Sequence, residues 1–585
     1  MKQKFVFDNS NLNESYSGIT TPLTFSFARR VYSNVYKEFS RVVGTPEKKI
    51  RENWPMYDAM LAFICGRMYY NLLNWYKLIS FIPGYRFNKE FLEKMLGVTK
   101  GVSYDPRSKV RGLKKFIELG LLTRQVVVLL YQFAFINKNV QAFLNEFDKE
   151  FKRANTVDLT KLSNKELVDF YLFWEQKFSS KWRITIVNDL AVMIATGILR
   201  KMTANWLNDK NNILINEYLS NIKNVESRKP GDRLNNILRR IKSNRSFLKL
   251  FKTKSETEII DLIYRKQNYS QLKKLIESYL RDYGDRSPNE LKIESKTYRD
   301  NKDMFISLIK NQLPNLKYIE QKTHKKPGEN ITDHLTNLSY LKKKIFMTLV
   351  VLSRSYISNR ESARLKRSIV FGFARKAFKE FGRRLAEYKY ISNGSGIFYL
   401  QAEEIIGVFN GTLTNNDLKL TINQRREEYS KWKRIDSPRR VEINRSVYEY
   451  ELRKLAQKSE AFLRKKKVVK KKITSIKFLK GLTCSNGVNG ETVVGEALVL
   501  KSFNPKVSYV GKILVTSQTD PGWTPVFTHL KGVIVERGGM LSHAAIVARE
   551  FGLPCLTQVD KATDLITNGQ KISINVKNGT VERLN

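Results

Sequence analysis

The sequence is poor in the residues from which metal sites and disulfide frameworks are made. Its 585 residues include three cysteines and four histidines. Cys65, Cys484 and Cys555 lie far apart along the chain, which excludes a disulfide framework and a clustered Cys metal site and suits a reducing compartment. Proline is scarce, 14 residues, and falls at segment edges such as Pro83 and Pro288, so long helices are permitted. The first residues, MKQKFVFDNSNLNES, have no apolar signal core. The most apolar runs do not read as membrane spans. ITIVNDLAVMIATGIL carries Asn188 and Asp189 near its middle, and LTRQVVVLLYQFAF is broken by Arg124 and Gln125. The expected location is the cytoplasm. Acidic residues are also short: 104 Lys and Arg against 56 Asp and Glu leave a formal charge of +48. Such an excess fits a nucleic acid, a membrane surface or an acidic protein as partner, and equally fits solvated helix faces in a lysine-rich proteome. No nucleic-acid-binding module is recognisable, so nucleic acid is the weaker choice. Neither G-x-x-x-x-G-K-[ST] nor G-x-G-x-x-G occurs.

What is present divides in two. Hydrophobic residues make up 42% and charged residues 27%, as in soluble folded proteins, and the length implies two or more domains. From about Thr21 to Lys472 the apolar residues recur at helical spacing. NKELVDFYLFWEQKF (164–178) and YDAMLAFICGRMYYNLLNWYKLISFI (57–82) predict helices. After the basic tract RKKKVVKKK (464–472) the texture changes. TVVGEALVL, GKILVTS, KGVIVE and LPCLTQV predict short strands, HAAIVAREF one helix stopped at Gly552, and KISINVKNGTVERL a hairpin over Asn578-Gly579. The expected fold is multidomain: a large, mostly α-helical domain (1–463), a basic linker (464–480) and a small C-terminal α/β domain (481–585).

One of the four histidines stands in ERGGMLSHAAIVAREFGLP (536–554), between a double glycine and a helix. The buried strand GVIVE leads into the Gly538-Gly539 turn, Ser542 can cap the helix, and His543 falls in its first turn. Glycines admit a close ligand, and a helix N-terminus favours an anion, so the stretch suits a phosphate. An imidazole there, largely neutral at cytosolic pH, can attack phosphorus and hold the phosphoryl group as a phosphoramidate. A histidine that caps its own helix is the alternative reading of these residues.

The matching residues are Gly538, Gly539, Ser542, His543, Ala544, Ala545, Ile546, Ala548, Arg549, Glu550, Gly552 and Pro554. On them the stretch resembles the phosphohistidine swivelling domain of the phosphoenolpyruvate-utilising enzymes, a family that includes pyruvate phosphate dikinases, phosphoenolpyruvate synthases and rifampin phosphotransferases. TDPGWTPVF (519–527) and SNGVNGETVVGEALVL are similar to it too. By resemblance His543 is the phosphorylated residue, and Gly538, Gly539, Ser542 and Arg549 support the phosphate loop. Leu541 stands where many members have Thr, which leans toward the rifampin phosphotransferase branch. NLNESYSGITTPLTFSF (11–27), GRMYYNLLNWYKLISFIPG, YGDRSPNELKIES and GRRLAEYKYISNGSGIFYLQAEEI resemble that branch's acceptor domain, in the same order.

The resemblance implies a phosphotransferase in which an ATP-derived phosphoryl group passes to His543 and then to a small-molecule acceptor bound by the helical domain. No segment is left for an ATP-grasp domain, so ATP and Mg2+ are expected on a separate ATP-grasp partner chain. A fragment of a longer enzyme is the other possibility. Acceptor-binding candidates are Arg67, Asn71, Asp285 and Arg286. Arginine pairs bidentately with phosphoryl oxygens and Asp285 can take a hydroxyl proton, although the family often has His at the latter position. Tyr69, Tyr70, Trp75 and Tyr76 could line an apolar pocket, or serve as core at helical spacing. No metal ligands are expected on this chain. The competing function is a basic protein that binds nucleic acid or an acidic surface and keeps a relic histidine domain.

Overall fold

The computed structural model of the chain describes residues 5–82, 113–220, 222, 225–313, 333–415, 417–435, 438–443, 478–487 and 492–584. The predicted basic tract 464–472 lies outside them, as does the linker 464–480 up to residue 477. Two compact units build the chain, and neither is continuous in sequence. The first holds Met1–Ala191, Leu291–Glu294 and Ile369–Lys470; the second holds Val192–Glu290, Ser295–Ser368 and Lys471–Asn585. A large helical part followed by a C-terminal α/β part is what the sequence predicts. In addition, helical segments up to residue 368 pack with the C-terminal sheet: Ile213–Tyr218 and Lys229–Ser243 both lie against it or its connections.

The first unit contains a four-stranded antiparallel sheet of β1 (Phe5–Asp8), β2 (Leu61–Ile64), β3 (Arg67–Asn71) and β4 (Arg440–Ile443), in the order β2-β3-β1-β4. This corrects the helix predicted over 57–82. That stretch forms the hairpin β2–β3 and only then a helix, Leu72–Ile79. The reason is the turn. Ile64 pairs with Arg67, so two residues connect the strands, and Cys65 and Gly66 both adopt positive φ, 46° and 71°. That conformation matches the twist of a tight hairpin. A Cβ on Gly66 would also meet the Trp432 ring at 2.8 Å. In LAFICGRMYY nearly every position is apolar, so helical spacing is satisfied by accident and does not discriminate.

Around this sheet, the helix Pro22–Val42 packs on the helix Asn164–Lys181. Pro22 occupies the first turn, where its missing N–H costs nothing. Ser163 and Glu166 form a reciprocal capping box, so the predicted helix over 164–178 is present and begins where the sequence says. Residues 291–294 return into this unit. The Glu294 carboxylate accepts from the backbone N–H and hydroxyl of Thr21 and from the Thr24 hydroxyl, and Lys292 donates to the carbonyls of Ser17 and Ile19. Two stretches singled out separately, 11–27 and the LKIES segment, thus meet. Among the described residues one helical stretch, Asn164–Trp206, is long and apolar enough by length and composition to cross a membrane, with 56% of its apolar window buried within the protein, and the helix pair Gly120–Ala134 and Ile136–Thr156, bent by 66°, passes the same test only when taken together.

The second unit is built on an eight-stranded sheet: β5 (Phe478–Lys480), β6 (Leu482–Asn486), β7 (Thr492–Val499), β8 (Lys512–Thr516), β9 (Gly532–Val535), β10 (Pro554–Thr557), β11 (Lys571–Asn575) and β12 (Thr580–Arg583). The order is β5-β12-β11-β7-β8-β9-β10-β6. The four central strands, β7 to β10, run parallel and the flanking ones antiparallel. The predicted strands and the hairpin are all present; Asn575 pairs with Thr580, so the hairpin turn spans four residues ending at Gly579. β9 and β10 are fully buried, as expected of central parallel strands. The crossover between them contains the helix His543–Glu550. That helix ends in a Schellman motif: Leu553 N–H donates to Ala548 O, Gly552 N–H to Arg549 O, and Gly552 has φ of 59°. Cys484 and Cys555, distant in sequence, lie buried and free on the neighbouring strands β6 and β10.

Candidate active site

His543 opens the crossover helix at the carboxyl end of β9, where ligands gather in parallel sheets. The site lies wholly within the second unit. The imidazole is buried, 2% exposed, and held from both sides. The Thr519 hydroxyl lies 2.9 Å from Nδ1 and the Thr524 hydroxyl 3.0 Å from Nε2, and the Phe527 ring packs edge-on at 5.7 Å. A hydroxyl can donate or accept, so the two contacts suit neutral imidazole, with one hydroxyl accepting the ring N–H and the other donating to the lone-pair nitrogen. Burial, then the positive charges of Arg286 and Arg364, holds the His543 pKa well below its usual value. The nucleophile is therefore unprotonated at neutral pH.

The two threonines come from TDPGWTPVF, and its geometry explains its composition. Asp520 accepts from Gly522 N–H at 2.9 Å through one oxygen and from Asn289 N–H at 2.9 Å through the other. The turn thereby clamps onto the loop that carries Arg286. Only glycine fits at 522, because a Cβ there would stand 2.2 Å from the Pro288 nitrogen. Thr519 and Thr524 were not assigned a role from sequence. Their signal was present: both stand in a short stretch already singled out.

Arg286 is the unusual residue. It is 2% exposed, and all three guanidinium nitrogens are buried without a hydrogen-bond partner. The buried Glu290 carboxylate offsets part of the Arg286 charge, but guanidinium donors left without an acceptor cost stability unless a ligand completes them. Ser542, predicted as the helix cap, occupies the cap position, but its hydroxyl makes no capping bond and is itself buried and unpartnered. Two groups with donor capacity are thus left open, one adjacent to His543 in sequence and the other within its electrostatic reach.

The remaining candidates have structural employment. Arg549 is buried; it donates to Met540 O at 2.7 Å and to Asn216 Oδ1 at 3.3 Å, so it braces the loop before His543. Arg360 adds a second brace, donating to Leu541 O at 2.7 Å. Gly538 has φ of 111°, whereas a Cβ on Gly539 would touch nothing within 4 Å. Asp285 is ion-paired to Arg299 at 3.1 Å. Arg67 and Asn71 belong to the first unit. Arg67 donates to Ile435 O at 2.7 Å, and Asn71 caps the helix Leu72–Ile79. Tyr69, Tyr70, Trp75 and Tyr76 are buried core. Among the described residues no three His, Cys, Asp or Glu converge to hold a metal ion.

Comparison with known proteins adds two family matches. Residues 509–579 match the mobile domain of PEP-utilising enzymes, the segment that contains both threonines and His543. Residues 185–361, which include Arg286 and Arg360, match the fourth domain of rifampicin phosphotransferase. The Bacillus cereus rifampicin phosphotransferase is 25% identical over 340 residues, 56% of this chain and 36% of that protein. The Streptomyces sviceus rifampicin phosphotransferase is 24% identical over 405 residues, 68% of this chain and 44% of that protein. The phosphoenolpyruvate synthase of Neisseria meningitidis is 35% identical over 102 residues, 17% of this chain and 13% of that protein. The chain spans less than half the length of these relatives. The lean toward the rifampicin phosphotransferase branch agrees with the fourth-domain match.

Proposed function

We propose that this chain is a cytoplasmic phosphotransferase component that carries a phosphoryl group on His543 and passes it to a small-molecule acceptor. The observation that carries the reading is a buried imidazole, held neutral, within the electrostatic reach of Arg286, a buried guanidinium whose donors have no hydrogen-bond partner. In the first step an imidazole nitrogen attacks phosphorus in line; the N–P bond forms as the bond to the donor's leaving oxygen breaks. In the second, an acceptor hydroxyl or enol oxygen attacks, its proton departs to a base, and the imidazole leaves neutral. In the second step Arg286 offers its fork, and Ser542 its hydroxyl, to the phosphoryl oxygens as charge moves from the imidazole to the acceptor. The threonine on the nitrogen that is not phosphorylated keeps the ring oriented.

The nucleotide and its Mg2+ belong, in this reading, to a separate ATP-grasp protein. Loading from another chain requires the mobile domain to leave Arg286, since His543 is enclosed where it stands. The test is to incubate the purified chain with β- and γ-labelled ATP, with and without a candidate ATP-grasp protein, beside His543→Ala. The expected result is acid-labile label on the wild type alone, appearing only with the partner. Equal labelling of His543→Ala would overturn the assignment.

A further inference from the structure

Two features remain unaccounted for by phosphoryl transfer: the excess of positive charge and the run LTRQVVVLLYQFAF. We propose that the helix Leu113–Ala134 docks the first unit onto an anionic lipid surface. Along 120–135 not one residue is buried, although the stretch is predominantly apolar. Leu122, Val126 and Leu130 form one exposed ridge at i, i+4, i+8 spacing; Val127, Tyr131 and Phe135 form a second beside it. Leu130, Val127 and Tyr131 are each 60% exposed or more. Gln125 and Val128, at the Gly44 corner, provide its contact with the rest of the unit near that turn. The next helix, Ile136–Thr156, turns away by 66° and buries Val140, Phe143, Leu144 and Phe147, so it is ordinary core.

A helix apolar on nearly every side belongs in a protein core or in lipid. The apolar part here is about 24 Å long, shorter than the ~30 Å hydrocarbon core, and it leads directly into a core helix, so it lies on a bilayer and does not cross it. Charge selects the surface. The chain carries +48, and Arg124 and Lys138 stand exposed at the patch. Basic residues beside an apolar helix face attract anionic headgroups while the face enters the acyl boundary, and Tyr131 and Phe135, their rings tilted against each other at 4.9 Å, suit the headgroup level.

The test is co-sedimentation of the full chain with vesicles of phosphatidylcholine alone and of phosphatidylcholine mixed with phosphatidylglycerol. The wild type is expected to sediment with the mixed vesicles only. Val127→Ser/Leu130→Ser/Tyr131→Ser, which keeps the net charge, should weaken this partition by about tenfold or more. Leu341→Ser, at an exposed apolar position in the second unit, should leave it unchanged. Melting curves verify that the variants fold, and these exposed sites should not lower the midpoint. Absence of sedimentation, equal binding to neutral vesicles, or an unaffected triple variant would overturn the proposal. So would light scattering that finds a wild-type dimer and a monomeric triple variant, which would make a second copy the occupant.

Discussion

The buried arginines Arg384 and Arg375 of the first unit and Arg286 of the second differ in one respect, and the difference separates scaffold from site. In the first unit Arg384, 4% exposed, is fully used: it donates to Glu380, to Asn164 Oδ1 and to the carbonyls of Leu159 and Leu162. Arg375, also in the first unit and 2% exposed, donates to Lys292 O and Ile293 O. Arg286 in the second unit is as deeply buried and has no hydrogen bond for its guanidinium. Burial alone does not distinguish them; satisfaction does. A guanidinium that ties loops together stabilises the fold, whereas one left open costs stability and awaits an anion.

The largest expected effect tests the scaffold side. Arg384→Ala strands the carbonyls of Leu159 and Leu162 and removes one partner of Glu380; it should destabilise the protein by about 3 kcal/mol, read from the urea midpoint of the first unit's unfolding. Arg286→Met should do the reverse to stability, leaving it unchanged or raised by about 1 kcal/mol, while slowing phosphoryl transfer roughly a hundredfold. Glu290, in the electrostatic reach of Arg286, keeps Arg364 and Arg367 as its cationic neighbours in that variant. If both substitutions destabilise equally, the contrast fails.

The pH dependence sharpens the same comparison inside one helix. The pKa of Glu550 at its end is pushed up to about 7 by burial, against the backbone N–H of Ile222 and the charges of Arg549, Arg228 and Arg354. A carboxyl raised on folding is protonated in the native state while the unfolded chain has already lost the proton. Its effect on stability therefore turns unfavourable as pH rises from the ordinary carboxylate range to about 7, and stays so above it. Glu550→Gln should flatten that slope, a difference measurable by denaturation across pH. His543 acts in the opposite sense: its depressed pKa makes stability fall as pH drops below about 6.5, the unfolded value. The smallest effect belongs to Ser542→Ala. A helix cap usually contributes about 1 kcal/mol, but this hydroxyl caps nothing, so stability should move by less than about 0.5 kcal/mol.

The strands and helix of the C-terminal sheet were legible because their local signals agree: β-branched runs, turn glycines and a helix stop at Gly552. His543 stood out by rarity. The Leu61–Asn71 hairpin was not legible, since an almost uniformly apolar stretch satisfies helix and strand periods alike and a two-residue turn decides the matter. Arg67 and Arg286 look alike in sequence, each an arginine in a family-like stretch. What separates them is whether a carbonyl from a distant part of the chain, Ile435 O for Arg67, reaches the guanidinium, and no local pattern encodes that.

The threonine bracket around His543 has a consequence for reagents in solution. With one hydroxyl on each ring nitrogen and almost no exposed surface, the imidazole offers no lone pair to a water-borne electrophile. It becomes reactive when it leaves the threonines or is released with its domain from the Arg286 loop. The rate at which a soluble acylating reagent modifies His543 is therefore a clock for opening: slow modification reports a domain that stays home, fast modification one that travels, before any substrate is known.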